Sequence, residues 1–276
     1  MSDYARPARL REALHILARS PRPVLAGGTD FYPARVGRAL PPELLDITAL
    51  RELRGIVGGA ARWRIGACTT WSELLAAKLP PLFNGLKLAA REVGGAQIQN
   101  AGTVAGNLCN ASPAADGVPA LLALDAEVEL AKAGGTRRLA LADFVTGARK
   151  TALQPGELLT AVLIPRPKFA AASHFLKLGA RRYLVISIAM ASAVIEHKAG
   201  KVQAARVAVG ACSPVAVRLP ALEADLRGKR FDATLADWVK PAQFSGLAPI
   251  ADVRASAEYR LQAALELVRR LLREVR

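Results

Sequence analysis

Two short segments carry the residues of this chain best suited to chemistry. Leu25-Ala26-Gly27-Gly28-Thr29-Asp30 places adjacent glycines, a hydroxyl and a carboxylate where a strand should end. Ala101 through Asp116 reads Ala-Gly-Thr-Val-Ala-Gly-Asn-Leu-Cys-Asn-Ala-Ser-Pro-Ala-Ala-Asp, a second loop leading toward a helix. Glycine lets bare backbone N–H groups approach an anion, and a helix N-terminus adds partial positive charge. A lone Gly-Gly pair would make only a tight turn. Here Thr29, Thr103, Asn107, Ser112 and Asp116 surround such amides with further hydrogen-bonding groups, and Gly106 lies among them. Two segments of this kind predict a long phosphate-bearing cofactor held between them.

Two familiar nucleotide motifs do not fit. A dinucleotide fold wants GxGxxG between the first strand and helix, and Gly27-Gly28-Thr29-Asp30 lacks that spacing. Neither loop contains Gly-Lys-Ser/Thr, which excludes a P-loop. Cys68, Cys109 and Cys212 are too few for an iron–sulfur cluster of four thiolates and form no disulfide framework. His15, His174 and His197 have no ligand-like spacing, so no metal site is expected and the histidines read as surface or helix-packing residues.

The 276 residues suffice for a full core divided into two or three small domains, and a hydrophobic content of 52% argues against disorder. The longest apolar run, Tyr183 to Ile195, is too short to span a bilayer and reads as a buried strand or helix. The first residues lack the layout of a signal peptide, so a cytoplasmic protein is the expectation. A net charge of +15 raises nucleic acid, an anionic membrane or an acidic partner as possibilities. Yet the cations are dispersed, their densest cluster (Arg269, Arg270, Arg273) falls on an amphipathic helix, and no aromatic interleaves with a basic run as base stacking requires. The charge reads as solvated surface plus a docking face for acidic subunits.

The elements that position the two segments follow from periodicity and breakers. Ala8–Arg19 has helical spacing and ends at Pro21 and Pro23, and Val24-Leu25-Ala26 is a buried strand running into the glycines. Thr29 or Asp30 is expected to cap the next turn, before a strand at Leu44–Thr48. A hairpin over residues 55–67, a helix from Trp71 capped by Thr70 with Glu73, and a helix from Leu82 ending at Gly94-Gly95 come next. After the second loop, an apolar helix begins at Gly117, a hairpin turns at Gly134-Gly135, and a strand closes at Pro165. Beyond it, long strands at 173–178, 186–196 and 202–210 precede helices at 219–227 and 255–275. In the last helix Ala257, Leu261, Leu265, Val268, Leu272 and Val275 form the expected apolar stripe, and the helices should cover one face of the sheet.

Val24 through Phe31, followed by Gln97 through Asp116 and Gly117-Val-Pro119, resembles the two flavin-binding segments of the FAD-binding (medium) subunits of molybdenum hydroxylases, such as carbon monoxide dehydrogenase, xanthine dehydrogenase and 4-hydroxybenzoyl-CoA reductase. Phe175-Leu-Lys177-Leu-Gly-Ala-Arg-Arg182 and Gly210-Ala-Cys-Ser-Pro214 add to the resemblance, which covers essentially the whole chain. The cysteine-bearing insertion of the 4-hydroxybenzoyl-CoA reductase subunit is missing, which weakens that particular identity.

The resemblance implies an α+β protein: a two-lobed FAD-binding domain of the vanillyl-alcohol-oxidase type (residues 1–54 and 55–167) and a C-terminal α+β domain, a sheet covered by helices (168–276). Leu25 to Phe31 would wrap the FAD pyrophosphate, with Thr103, Gly106, Asn107 and Ser112 contributing from the second segment. Asp116 would hydrogen-bond a polar edge of FAD, Val93 and Leu159 would line the cofactor, and Lys177 would lie near the flavin ring or be a solvated strand lysine. Tyr183 or Ile186 would shield the flavin or belong to the core, which counts against NAD+ as acceptor. No side chain is expected to act as an acid or base. The implied function is electron transfer from a molybdopterin-binding large subunit, through the [2Fe–2S] clusters of a small subunit and FAD, to an external acceptor, in a dimer of heterotrimers. A stand-alone flavin oxidoreductase, or a basic nucleotide- or nucleic-acid-binding protein, are the alternatives.

Overall fold

Three main sheets organise residues 3–276, the part of the chain that the computed structural model describes. The first is small and parallel. Strands β1 (Asp3–Ala5), β2 (Val24–Leu25) and β3 (Glu43–Asp46) take the order β1-β3-β2, and helix α1 (Leu10–Arg19) buries Ala13 and Leu17. β1 escaped the sequence reading because three residues carry no periodicity. Between β2 and β3 the only helical turn is a 3₁₀ turn at Pro33–Arg35, and its cap residue Tyr32 makes no side-chain bond. Thr29 and Asp30 therefore do not cap it; Gly28, at φ +71°, turns the chain first.

The second sheet is antiparallel, in the order β4 (Ile56–Gly58), β5 (Arg62–Gly66), β10 (Leu158–Pro165), β6 (Glu127–Lys132), β7 (Gly135–Ala140). Its intervening helices are α2 (Trp71–Ala76), α3 (Asn84–Glu92), α4 (Ala96–Ala101), α5 (Val104–Asn110), α6 (Gly117–Ala123) and α7 (Leu141–Phe144), with a small hairpin of β8 (Val145–Gly147) and β9 (Lys150–Thr151). The capping box at α2 forms as expected: Glu73 N donates to Thr70 Oγ1 and Thr70 N donates to Glu73 Oε2. The second glycine segment is a different matter. Its middle, Val104–Asn110, is the helix α5 rather than open loop, with Thr103 as N-cap accepting from Gly106 N at 3.0 Å. Burial of Val104, Ala105 and Leu108 outweighs the turn propensity of its glycine and asparagines.

The third sheet is antiparallel in the order β11 (Ala170–Gly179), β12 (Ser187–Lys198), β13 (Lys201–Gly210), β14 (Val217–Arg218). Ala199 and Gly200, both at positive φ, make the tight turn between β12 and β13. Helices α8 (Pro220–Leu226) and α9 (Ala257–Glu274) cover one face. The other face is also covered: Phe175, Met190, Val194 and Ala208 join the core that contains α3 and α6. Coverage by helices is thus two-sided, not one-sided, and this explains why β12 is buried from Ser187 to Glu196. The apolar run beginning at Tyr183 splits accordingly, since Tyr183, Leu184 and Ile186 are about half exposed and precede the strand.

The stripe on α9 is rotated from its expected position. Its buried line is Arg260, Ala264, Val268, Leu271, Leu272 and Val275, while Leu261 and Leu265 sit half-buried on its flank. Arg260 is held there by hydrogen bonds. Its guanidinium donates to Ile188 O at 2.6 Å, Ala211 O at 3.1 Å and Asp252 Oδ1 at 2.8 Å. The Arg254 N–H, joined by the Arg260 and Arg254 guanidinium groups, pushes the Asp252 carboxyl down to about 2. A depressed carboxylate stabilises the fold above its unfolded range, so this contribution is lost as pH falls from about 4 toward 2. Arg260→Met strands two backbone carbonyls and should cost about 2–5 kcal/mol in urea unfolding. A loss below about 1 kcal/mol would show that water replaces the guanidinium.

Candidate cofactor-binding site

A cleft of about 420 Å³ opens between the end of β2, the α3–α4 turn, α5 and the segment preceding β12. It gathers twelve of the anticipated residues: Ala26 through Phe31, Val93, Thr103, Gly106, Asn107, Ser112 and Asp116. The two glycine segments touch here. A Cβ on Gly27 would stand 1.9 Å from Ala101 O and 2.6 Å from its carbonyl carbon, so only glycine admits this approach. The backbone N–H groups of Gly27 through Phe31 donate to no other described residue. They form a row of unpaired donors at the wall of the cleft, the arrangement an anion requires. Asn107 Oδ1 is buried without a hydrogen-bond donor, and a bound ligand would satisfy it. Trp71, fully buried, forms the floor beside Gly117.

Asp116 and Lys177 meet in an unexpected way. Lys177 Nζ donates to Asp116 Oδ2 at 2.8 Å, and Ser187 Oγ donates to Asp116 Oδ1 at 2.6 Å. Both charged side chains are more than nine-tenths buried. Burial pushes the Asp116 carboxyl up, and the Lys177 ammonium and Ser187 hydroxyl offset this only in part. Lys177 is therefore no solvated strand lysine. It lies against Glu92 O and reaches the cleft through Asp116, and it also lines a separate cavity with Arg91 and Arg181.

Leu25 and Leu159 stand apart from the cleft. Leu25 lies in the core beneath it, and Leu159 lines a second, mainly apolar cavity of about 360 Å³ with Val24, Ile47, Ala67 and Leu158. Ala26, Thr103 and Gly106 form the wall common to both cavities. Sequence reasoning missed Trp71, Ile98, Leu184 and the carbonyl of Glu92. Only Leu184 carried a signal, as part of the apolar run, and its φ of +52° is legible in the structure alone. Leu184 and Ile186 line the cleft and are half exposed, so their segment is not core.

An open cleft walled by unpaired amides, with an apolar extension behind it, suits a phosphate-bearing nucleotide cofactor, and similarity to known proteins gives its kind. The family described as the FAD binding domain in molybdopterin dehydrogenase matches residues 1–167, and the CO dehydrogenase flavoprotein C-terminal domain matches 174–275. The chain belongs to this family of FAD-binding subunits of molybdenum hydroxylases. It is a flavoprotein of the oxidoreductase class, and its cofactor is FAD. It is 35% identical to the carbon monoxide dehydrogenase medium chain of Afipia carboxidovorans, over 97% of this chain and 94% of that one. The nicotinate dehydrogenase FAD-subunit of Eubacterium barkeri is 38% identical over 67% of this chain and 66% of its own. The structure of reconstituted CO dehydrogenase from Oligotropha carboxidovorans superposes with a TM-score of 0.89 at 30% identity, covering 99% of this chain and 96% of that one.

Proposed function

We propose that this chain is the electron-transfer medium subunit of a molybdenum hydroxylase, accepting electrons from [2Fe–2S] clusters of a small subunit and passing them to an external acceptor. A large subunit carrying molybdopterin would oxidise the substrate, and two such heterotrimers would pair. FAD, when bound, supplies the conversion between two-electron and one-electron transfer. The observation that carries this reading is that the unpaired amides from Gly27 to Phe31 and the unpartnered Asn107 oxygen belong to residues lining one cleft.

In this reading the amides bind the pyrophosphate, and Thr103, beside them on the same wall, supports it. Val93, Asp116 and Ile186 surround the flavin end, while Leu159 and the apolar cavity behind Ala26 take the adenine end. Lys177 and Ser187 fix the Asp116 carboxylate, so that it meets the flavin in one orientation. The chain would divide at residues 54 and 167 into two lobes of a vanillyl-alcohol-oxidase-type domain and a C-terminal domain. A cytoplasmic location fits this role, and no helix among the described residues is long and apolar enough to cross a membrane.

The test is the visible spectrum of the purified chain, with FAD titrated into colourless protein and co-purifying subunits identified. Stoichiometric FAD uptake together with molybdenum and iron–sulfur partners is expected. Flavin bound to a chain that turns over a small donor alone would point instead to a stand-alone oxidoreductase. Asn107→Leu offers a sharper check. Removing the unpaired oxygen should stabilise the apo chain by about 1 kcal/mol yet weaken FAD binding about tenfold. Equal FAD affinity in this variant would exclude Asn107 from the site.

A further inference from the structure

The turn joining β11 to β12, residues 180–186, walls the cofactor cleft with Leu184, Val185 and Ile186. Among the described residues, no backbone-to-backbone hydrogen bond ties it to itself or to another segment. Burial does little to hold it either, since Tyr183, Leu184 and Ile186 are about half exposed. Yet Leu184 adopts φ +52°, a left-handed conformation that a leucine keeps only where its surroundings impose it. The polar hold comes from one side chain. Arg181 Nε donates to Tyr183 O at 3.0 Å and to Leu184 O at 3.2 Å, and a second guanidinium nitrogen donates to Leu184 O. Two close approaches to glycine complete the turn. A Cβ on Gly179 would stand 2.3 Å from Val185 Cγ1, and one on Gly95 would stand 3.2 Å from Leu184 Cδ2. The second approach lays Leu184 on the α3–α4 turn, next to Val93 and Gly94 of the cleft.

We infer that Arg181 is a positioning residue, one that holds Leu184 and Ile186 as an apolar cover at the flavin end of the cleft. The inference rests on the FAD reading of that cleft. Arg181 does not itself line the cleft; it is exposed and lines the neighbouring cavity with Arg91 and Lys177. It acts through backbone. One planar guanidinium satisfies two carbonyls at once, which draws residues 183 and 184 toward residue 181 and closes the turn. With the carbonyls released, Leu184 relaxes to the ordinary negative φ and its side chain leaves the cleft. Held closed, the two apolar side chains keep water and small solutes from that end of the cofactor. Arg182 is the natural contrast. It carries the same charge and lines the same neighbouring cavity, but it makes no hydrogen bond to the turn.

Two measurements on the full chain test the inference. Chymotryptic cleavage after Tyr183 in the FAD-free chain reads the closure of the turn, and iodide quenching of bound FAD reads the cover. Arg181→Ala should be cut there at least about tenfold faster than the parent, because local opening governs native-state cleavage. Its bound FAD should be quenched severalfold more strongly, at unchanged circular dichroism. Arg182→Ala removes an equal charge from the path of the iodide ion, and it should match the parent in both measurements. Leu184→Gly removes the cover directly and should raise quenching as Arg181→Ala does. The double variant should show no further increase, since the two residues act as one unit. Parent-like cleavage or parent-like quenching in Arg181→Ala overturns the inference, as do additive effects in the double variant. A parent chain that takes up no FAD would count against the cofactor reading instead, and the cleavage rates would still decide whether Arg181 closes the turn.

Discussion

Gly27→Val should abolish stoichiometric FAD uptake while leaving a chain that still folds its C-terminal sheet. The first added carbon would lie 1.9 Å from Ala101 O, 2.6 Å from Ala101 C and 2.9 Å from Gly102 Cα, all backbone atoms. No rotamer change relieves a clash with backbone. The two segments that wall the cleft must separate, and the row of amides at Gly27–Phe31 then loses its register against Thr103 and Asn107. Because each 1.4 kcal/mol is tenfold in affinity, a misfit of about 3 kcal/mol weakens binding more than 100-fold. Gly37→Ala is the matched control. Gly37 sits at φ +74° with nothing within 4 Å of where an added methyl group would stand, so its cost is backbone strain of about 1–2 kcal/mol. Fluorescence titration of FAD should separate the two: the Gly37 variant binds as the parent does, the Gly27 variant does not. Ordinary FAD affinity in Gly27→Val would mean the cofactor does not use this wall.

Lys177→Met should produce the second large effect, a loss of about 3–5 kcal/mol in stability, because it leaves the Asp116 carboxylate buried without its cation. The pH dependence has a definite sign. Burial already raises Asp116, and Lys177 is the foremost of the groups that oppose it. Without Lys177 the folded-state value rises further above the unfolded one. A raised carboxyl contributes stability below its unfolded range, near 4, and that contribution disappears as pH climbs through the folded value. The deficit of Lys177→Met relative to the parent should therefore grow as pH rises above the ordinary carboxylate range in urea unfolding. Combining it with Asp116→Leu should recover most of the loss, since an apolar pair of similar volume replaces the buried charges. A pH-independent deficit, or no recovery in the double variant, would show that Lys177 acts through packing alone.

Several local features were legible in the sequence because they depend on residues a few positions apart. Thr70 and Glu73 form their capping box within one turn. Gly134-Gly135 turns the hairpin of β6 and β7, with Gly134 at φ +97°. The family resemblance rested on such contiguous runs, and it carried the cofactor with it. Where local signals competed with burial, burial prevailed. Asn107 and Gly106 suggest a loop, yet the apolar side of α5 packs into the core and holds them in a helix.

The mixed α+β character, the order of most elements and the two segments that wall the cleft are all readable along the chain. Each follows from periodicity, breakers and side-chain chemistry along a continuous stretch of chain. Folding across long sequence separations brings Gly27 against Ala101, holds Asp116 by Lys177 and Ser187 from the third sheet, and puts Arg260 in the buried line of α9. It also covers the third sheet on both faces. These outcomes depend on which distant segments exclude water from one another, and a side chain's spacing in the chain does not record what will lie across from it.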